Sequence, residues 1–182
     1  MQPTRNVILV SGPSGSGKTS LANWIGDQCG YSVVSEDEFW HEFKANDPRN
    51  GVRTPEEERI VQKQVAAEIH KRLAEGKQVV VEFILYCDPP RPLLAYQEAL
   101  AGEASNLLVV LLKPSVEAIL ARKRSRGRDT EQDAAAEAAI AASQLKCLDS
   151  PHIKKEWIVN NTDLDIAETF DQLVRENHGF FA

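Results

Sequence analysis

No apolar run in this 182-residue chain approaches the length of a membrane span, and the N-terminus lacks the apolar core of a signal peptide. A soluble, unprocessed chain is expected. Cysteine is scarce: Cys29, Cys87 and Cys147 lie far apart with no C-x-x-C pair, so neither a zinc site nor a disulfide framework is indicated. A reducing cytoplasm is the expected home. An excess of positive charge is also missing, since the net charge is -6 and basic residues are dispersed apart from a cluster between Arg122 and Arg128. That balance argues against nucleic acid or a membrane surface as partner and leaves small anionic ligands. No internal repeat is visible. The 42% hydrophobic content suits one compact domain over residues 1–182, so every functional part is expected within it.

What the chain does have is Gly12-Pro13-Ser14-Gly15-Ser16-Gly17-Lys18-Thr19, a match to the phosphate-binding pattern G-x-x-x-x-G-K-[ST]. Before it stands Val7-Ile8-Leu9-Val10, a strand-like run; after it, Leu21-Ala22-Asn23-Trp24-Ile25 has helical spacing. In that context the glycines let successive N–H groups curl into an anion nest at the positive end of the following helix. Lys18 would reach the β- and γ-phosphates, and the Thr19 hydroxyl would bind Mg2+ between them.

Further strand-like runs at Tyr31 to Val34, Gln78 to Phe83, Leu107 to Leu112 and Trp157 to Val159 alternate with helical sequence. This predicts an α/β fold with a parallel sheet covered on both faces. Thr54-Pro55-Glu56-Glu57 signs a helix start and Gly76 its end; Asp165 with Glu168 signs the last helix, and Ala134 to Leu145 is helix-prone. Asn46 to Arg53 and Ser125 to Asp129 read as exposed loops and candidate covers over a site.

Two strand ends carry acids. The second leads into Ser35-Glu36-Asp37-Glu38-Phe39-Trp40, where open α/β sheets meet ligand; the alternative is an acidic helix start, with Glu36 and Glu38 solvated. The third strand, Val79-Val80-Val81-Glu82-Phe83, ends in a carboxylate that serves either metal or acceptor. Phe39 and Trp40 either stack on a flat acceptor or pack on the core, and Arg49 and Arg53 either bind an anionic acceptor or solvate a loop. Arg122 and Arg126, four apart, would share one helical face, the alternative being a solvated basic turn.

Together these motifs resemble the P-loop small-molecule and nucleoside kinase group, most of all its chloramphenicol phosphotransferase, gluconate kinase and nucleoside kinase branches. The resemblance implies a three-layer P-loop NTPase fold with a five-stranded parallel sheet of order 2-3-1-4-5. It also implies an acceptor-side region at about 36–56 and an arginine-bearing lid at about 122–130. The glycine triplet of shikimate kinases, the D-G-[FY]-P-R segment of adenylate kinases and the D-x-x-G switch of GTPases are absent. Glu82 departs from the aspartate usual in the group.

By that resemblance, ATP and Mg2+ are the cofactors. Gly12, Pro13, Ser14, Gly15, Ser16, Gly17, Lys18, Thr19, Ser20, Arg122, Arg126, Arg128 and Asn161 contact the nucleotide, the segment around Asn161 lying by the adenine. Thr19 and Glu82 are the metal candidates. Asp37 is the general base, with Lys18 and Arg126 beside it in catalysis. Asp37, Phe39, Trp40, Arg49, Arg53, Glu82 and Tyr86 form the acceptor side. The expected reaction moves the γ-phosphoryl group of ATP to a hydroxyl of a small molecule, in a monomer or homodimer. A nucleoside or nucleoside monophosphate kinase and a regulatory NTPase module are the alternatives.

Overall fold

Strand β1, Asn6–Gly12, is buried along its whole length. In the computed structural model, which describes residues 5–45, 53–102, 106–127 and 133–181, it lies at the centre of a sheet. It pairs in parallel with β3 (Val79–Ile84) on one side and β4 (Asn106–Leu112) on the other. β2 (Ser32–Ser35) joins beyond β3, and the short β5 (Ile158–Val159) beyond β4, again in parallel. The order is therefore β2-β3-β1-β4-β5, as the resemblance implied. Strands covered on both faces have no solvent side to populate with polar residues, so they read as unbroken apolar runs.

Alternate residues of the strands enter two separate cores. Val7 and Leu9 of β1 with Val79, Val81 and Phe83 of β3 meet Val61, Val65 and Ile69 of α3 (Pro55–Ala74) and Leu93 and Tyr96 of α4 (Arg91–Leu100). Ile8 and Val10 with Val80, Val110 and Leu112 meet Leu21, Ala22 and Ile25 of α1 (Lys18–Cys29) and Leu173 of α7 (Ile166–Glu176). Each fully buried Val, Leu or Ile contributes about 1.5–3 kcal/mol relative to exposure, so these layers fix the strand ends against which ligand must bind.

The remaining α-helices among the described residues are α2 (Glu36–Lys44), α5 (Val116–Arg126), α6 (Ala134–Lys146) and the short α8 (His178–Phe181). The signed helix starts form as written: Thr54 with Glu57 and Asp165 with Glu168 each make reciprocal capping boxes. Gly76, at φ +78°, ends α3. Of the loop expected over Ser125 to Asp129, the first two residues are corrected: Ser125 and Arg126 continue α5, and Gly127, at φ +63°, is the first residue able to turn the chain out. The other segment read as a loop falls outside the described residues as far as residue 52, with Arg53 just inside them. No helix among the described residues is long and apolar enough to cross a membrane.

Candidate active site

The phosphate loop leaves β1 at Gly12, φ +149°, where a Cβ would stand 2.7 Å from the Leu112 carbonyl oxygen. Only glycine fits there. The Ser16 N–H donates to the Pro13 carbonyl at 3.1 Å, and Gly15 at φ +83° supplies the third position of that turn. Gly17, at φ +98°, then caps α1 without a side chain, and the first turn of α1 holds no acidic residue. The first N–H groups of a helix have no partner within it, which suits this end of α1 to an anion. Lys18 is its first residue and is buried.

Beside the loop, strand register lines up Val10, Glu82 and Ser35 on β1, β3 and β2. Glu82 is buried, accepting a hydrogen bond from the Thr19 hydroxyl at 3.2 Å and a short one from the Ser35 hydroxyl. The two expected metal-side residues are therefore adjacent. Hydroxyl and carboxylate oxygens suit a hard cation such as Mg2+. The described residues contain no group of three or more His, Cys, Asp or Glu that could hold a metal ion.

Asp37 lies in the first turn of α2, two residues beyond β2, so the acidic helix start and the strand-end position are the same feature. Its side chain is exposed, and Arg53 Nη2 stands 3.7 Å from its Oδ1. The Arg53 guanidinium also covers the Trp40 ring, 4.5 Å from the centroid. Trp40 is buried in the core and meets Phe43 edge-on, with Phe39 partly buried against the same cluster. Tyr86 is half-buried, and Arg91 approaches its ring at 5.9 Å. Arg49 lies outside the described residues.

Glu38 is exposed as expected, but Glu36 is not. It is 3% exposed, shares a helical face with Trp40 four residues on, and accepts the indole N–H at 3.2 Å through Oε1, while Oε2 has no hydrogen-bond partner among the described residues. Burial pushes its pKa up from 4.5 to about 7, against the lowering effects of the Trp40 hydrogen bond and the Arg53 charge. Between those values the folded chain holds a proton that the unfolded chain has released. Stability then falls as pH rises through this window, by about 3 kcal/mol in total, and the loss is complete above it. Glu36→Gln has no proton to release and keeps the acceptor for Trp40. Its melting temperature should match the wild type most closely near pH 4.5 and exceed it by roughly 6–12 °C more at pH 8. Parallel melting curves across that range would show that Glu36 is not the group concerned.

On the other side of the loop, Arg122 and Arg126 share a face of α5 and line a cavity of about 400 Å³ with Gly15, Gly17, Ser20 and Ile166. Arg122 donates to the carbonyls of Ser16 at 3.0 Å and Asn161 at 2.6 Å. Asn161 is buried and donates to the same Ser16 carbonyl at 2.9 Å, so both hold the loop from behind. Arg128 lies outside the described residues. Gln144 of α6, which sequence reasoning missed, accepts the Ser14 N–H at 2.8 Å across 130 residues of chain. No local pattern in the alanine-rich segment could have flagged it.

A glycine-lined anion nest opening α1, with a hydroxyl, carboxylates and arginines gathered at the carboxyl ends of parallel strands, defines a nucleotide-binding P-loop protein. The chain belongs to the AAA domain family, whose model matches residues 7–151, and within it to the P-loop small-molecule kinases, which are phosphotransferases. It is 27% identical over 139 residues to a gluconokinase of Arabidopsis thaliana, covering 70% of each chain. To a probable gluconokinase of Dictyostelium discoideum it is 25% identical over 176 residues, covering 93% of this chain and 83% of that one. The solved structure of a gluconokinase from Sinorhizobium meliloti 1021 shares the fold, with a TM-score of 0.62 at 21% identity over 98% of this chain and 97% of the other.

Proposed function

We propose that the protein is an ATP- and Mg2+-dependent kinase that moves the γ-phosphoryl group onto a hydroxyl of a small sugar acid, with gluconate as the first acceptor to test. The observation that carries this reading is the convergence of the phosphate loop, Glu82 with Thr19 and Ser35, and Asp37 at the carboxyl ends of β1, β3 and β2. Asp37 takes the proton of the acceptor hydroxyl as its oxygen bonds to the γ-phosphorus and the bond to the β–γ bridging oxygen breaks, releasing ADP. Lys18 and Arg126 stabilise the charge that develops on the transferring oxygens. Thr19 and Glu82 would hold Mg2+, which when bound neutralises phosphate charge. The nucleoside occupies the cavity by Ser20, Arg122 and Ile166, with the segment of Asn161 nearby.

Arg53, seated on Trp40 and beside Asp37, is suited to receive an acceptor carboxylate, with Phe39 and Tyr86 at the edges of the same region. The names of the two curated relatives support the sugar acid over a nucleoside. The test is ADP production with Mg-ATP against gluconate, other sugar acids, neutral polyols, nucleosides and nucleoside monophosphates, with Lys18→Ala as control. Gluconate is expected to stimulate most. Stimulation confined to nucleosides or their monophosphates would move the protein to the nucleoside kinase branch, and slow hydrolysis indifferent to every acceptor would favour a regulatory NTPase.

A further inference from the structure

Three consecutive residues of the phosphate loop are held by the two helices α5 and α6. The Ser14 N–H is taken by Gln144 Oε1 at 2.8 Å. Gly15 packs on the stem of Lys123, whose Cγ and Cε would lie 3.1 and 3.2 Å from a Cβ built there, with Ile119 beside them. The Ser16 carbonyl accepts from Arg122. Lys123 is itself buried and forms a short ion pair with Glu137, which ties α5 to α6. The Ser14 N–H belongs to the second position of the Pro13–Ser16 turn, whose closing bond runs from the Ser16 N–H to the Pro13 carbonyl and does not use it. Gln144 therefore satisfies an amide that the turn's own bond leaves over, and takes none of the N–H groups that follow at the start of α1.

We propose that Gln144 is a positioning residue of the phosphate loop: through the Ser14 N–H it fixes the Pro13–Ser16 turn so that the later N–H groups stay convergent on phosphate, making nucleotide affinity depend on how α6 is seated. The proposal rests on the nucleotide-binding part of the kinase reading and on nothing about the acceptor. A loop that must hold several donors at one anion loses affinity when its turn is free to move, because the ordering cost then falls on binding.

The test is calorimetric titration of the full-length protein with Mg-ADP, alongside melting without nucleotide. Gln144→Ala should weaken ADP binding about 3- to 10-fold, the scale of one hydrogen bond. The melting temperature should fall by no more than about 3 °C, since Gln144 is only partly buried. Ser14→Pro removes the donor and presets the backbone angle favoured at that turn position. In that background Gln144→Ala should have no further effect on affinity, whereas a general packing role would leave its effect additive. Unchanged or tighter ADP binding by Gln144→Ala, or full additivity in the double variant, would overturn the proposal while leaving the kinase intact. Failure of the wild type itself to bind Mg-ADP would sink the kinase reading as well.

Discussion

Asp37→Asn is expected to reduce kcat by about 10²- to 10⁴-fold, the usual range for loss of a positioned proton acceptor, while ATP binding stays within about twofold of wild type. The amide has nearly the shape of the carboxylate and still occupies the first turn of α2, so the local fold survives. What would disappear, on the role proposed for Asp37, is the capacity to take a proton from the acceptor hydroxyl. Exposure makes the ion pair between Asp37 and Arg53 weak, and its loss costs little stability. Steady-state kinetics with saturating acceptor, set beside nucleotide titration, separates the two effects. A fall in kcat below tenfold would reassign the base and leave Asp37 as a helix-start residue.

Lys18→Ala should cost about 10²- to 10³-fold in kcat/KM for ATP, the range found when one preorganised donor to transition-state charge is removed. Lys18 stands at the first position of α1, where alanine is well tolerated, so the melting temperature should change by only a few degrees. The loss should be larger for ATP than for ADP, because the ammonium is assigned to both terminal phosphates and ADP lacks one of them. Comparing ADP and ATP affinities for this variant tests the assignment. Equal losses for the two nucleotides would confine Lys18 to the β-phosphate.

Legibility in the sequence followed the range of the interaction. The strands, the capping boxes at Thr54 and Asp165, and the phosphate loop are set by neighbours within a few residues, and each was readable. Glu82 and Thr19 were readable as candidates from their places in two motifs; their 3.2 Å contact depends on strand register and was not. Glu36 was misread because an acid at a helix start is usually wet. The missed clue was Trp40 four residues later, which turns that face of α2 into the core. For Arg122 the sequence disclosed a shared face with Arg126, but not that its donors reach the Ser16 carbonyl 106 residues away. Gln144 lies still further from its partner, and nothing nearby in the chain records the contact.

The sheet also divides labour. Trp40 is anchored in the core beneath α3 and α4, with Phe39 partly buried against the same cluster, whereas α1, which carries Lys18 and Thr19, is anchored in the core on the opposite face. The proposed acceptor side and the first turn of α1 thus rest on opposite faces of the sheet, joined through the strands and, by way of Leu145 of α6 packed against the first core, through Gln144. Repacking the first core around Trp40, away from Leu145 and Leu148, should retune which acceptor is admitted without loosening the grip on nucleotide, and a laboratory selection for new acceptors would be expected to gather its changes there.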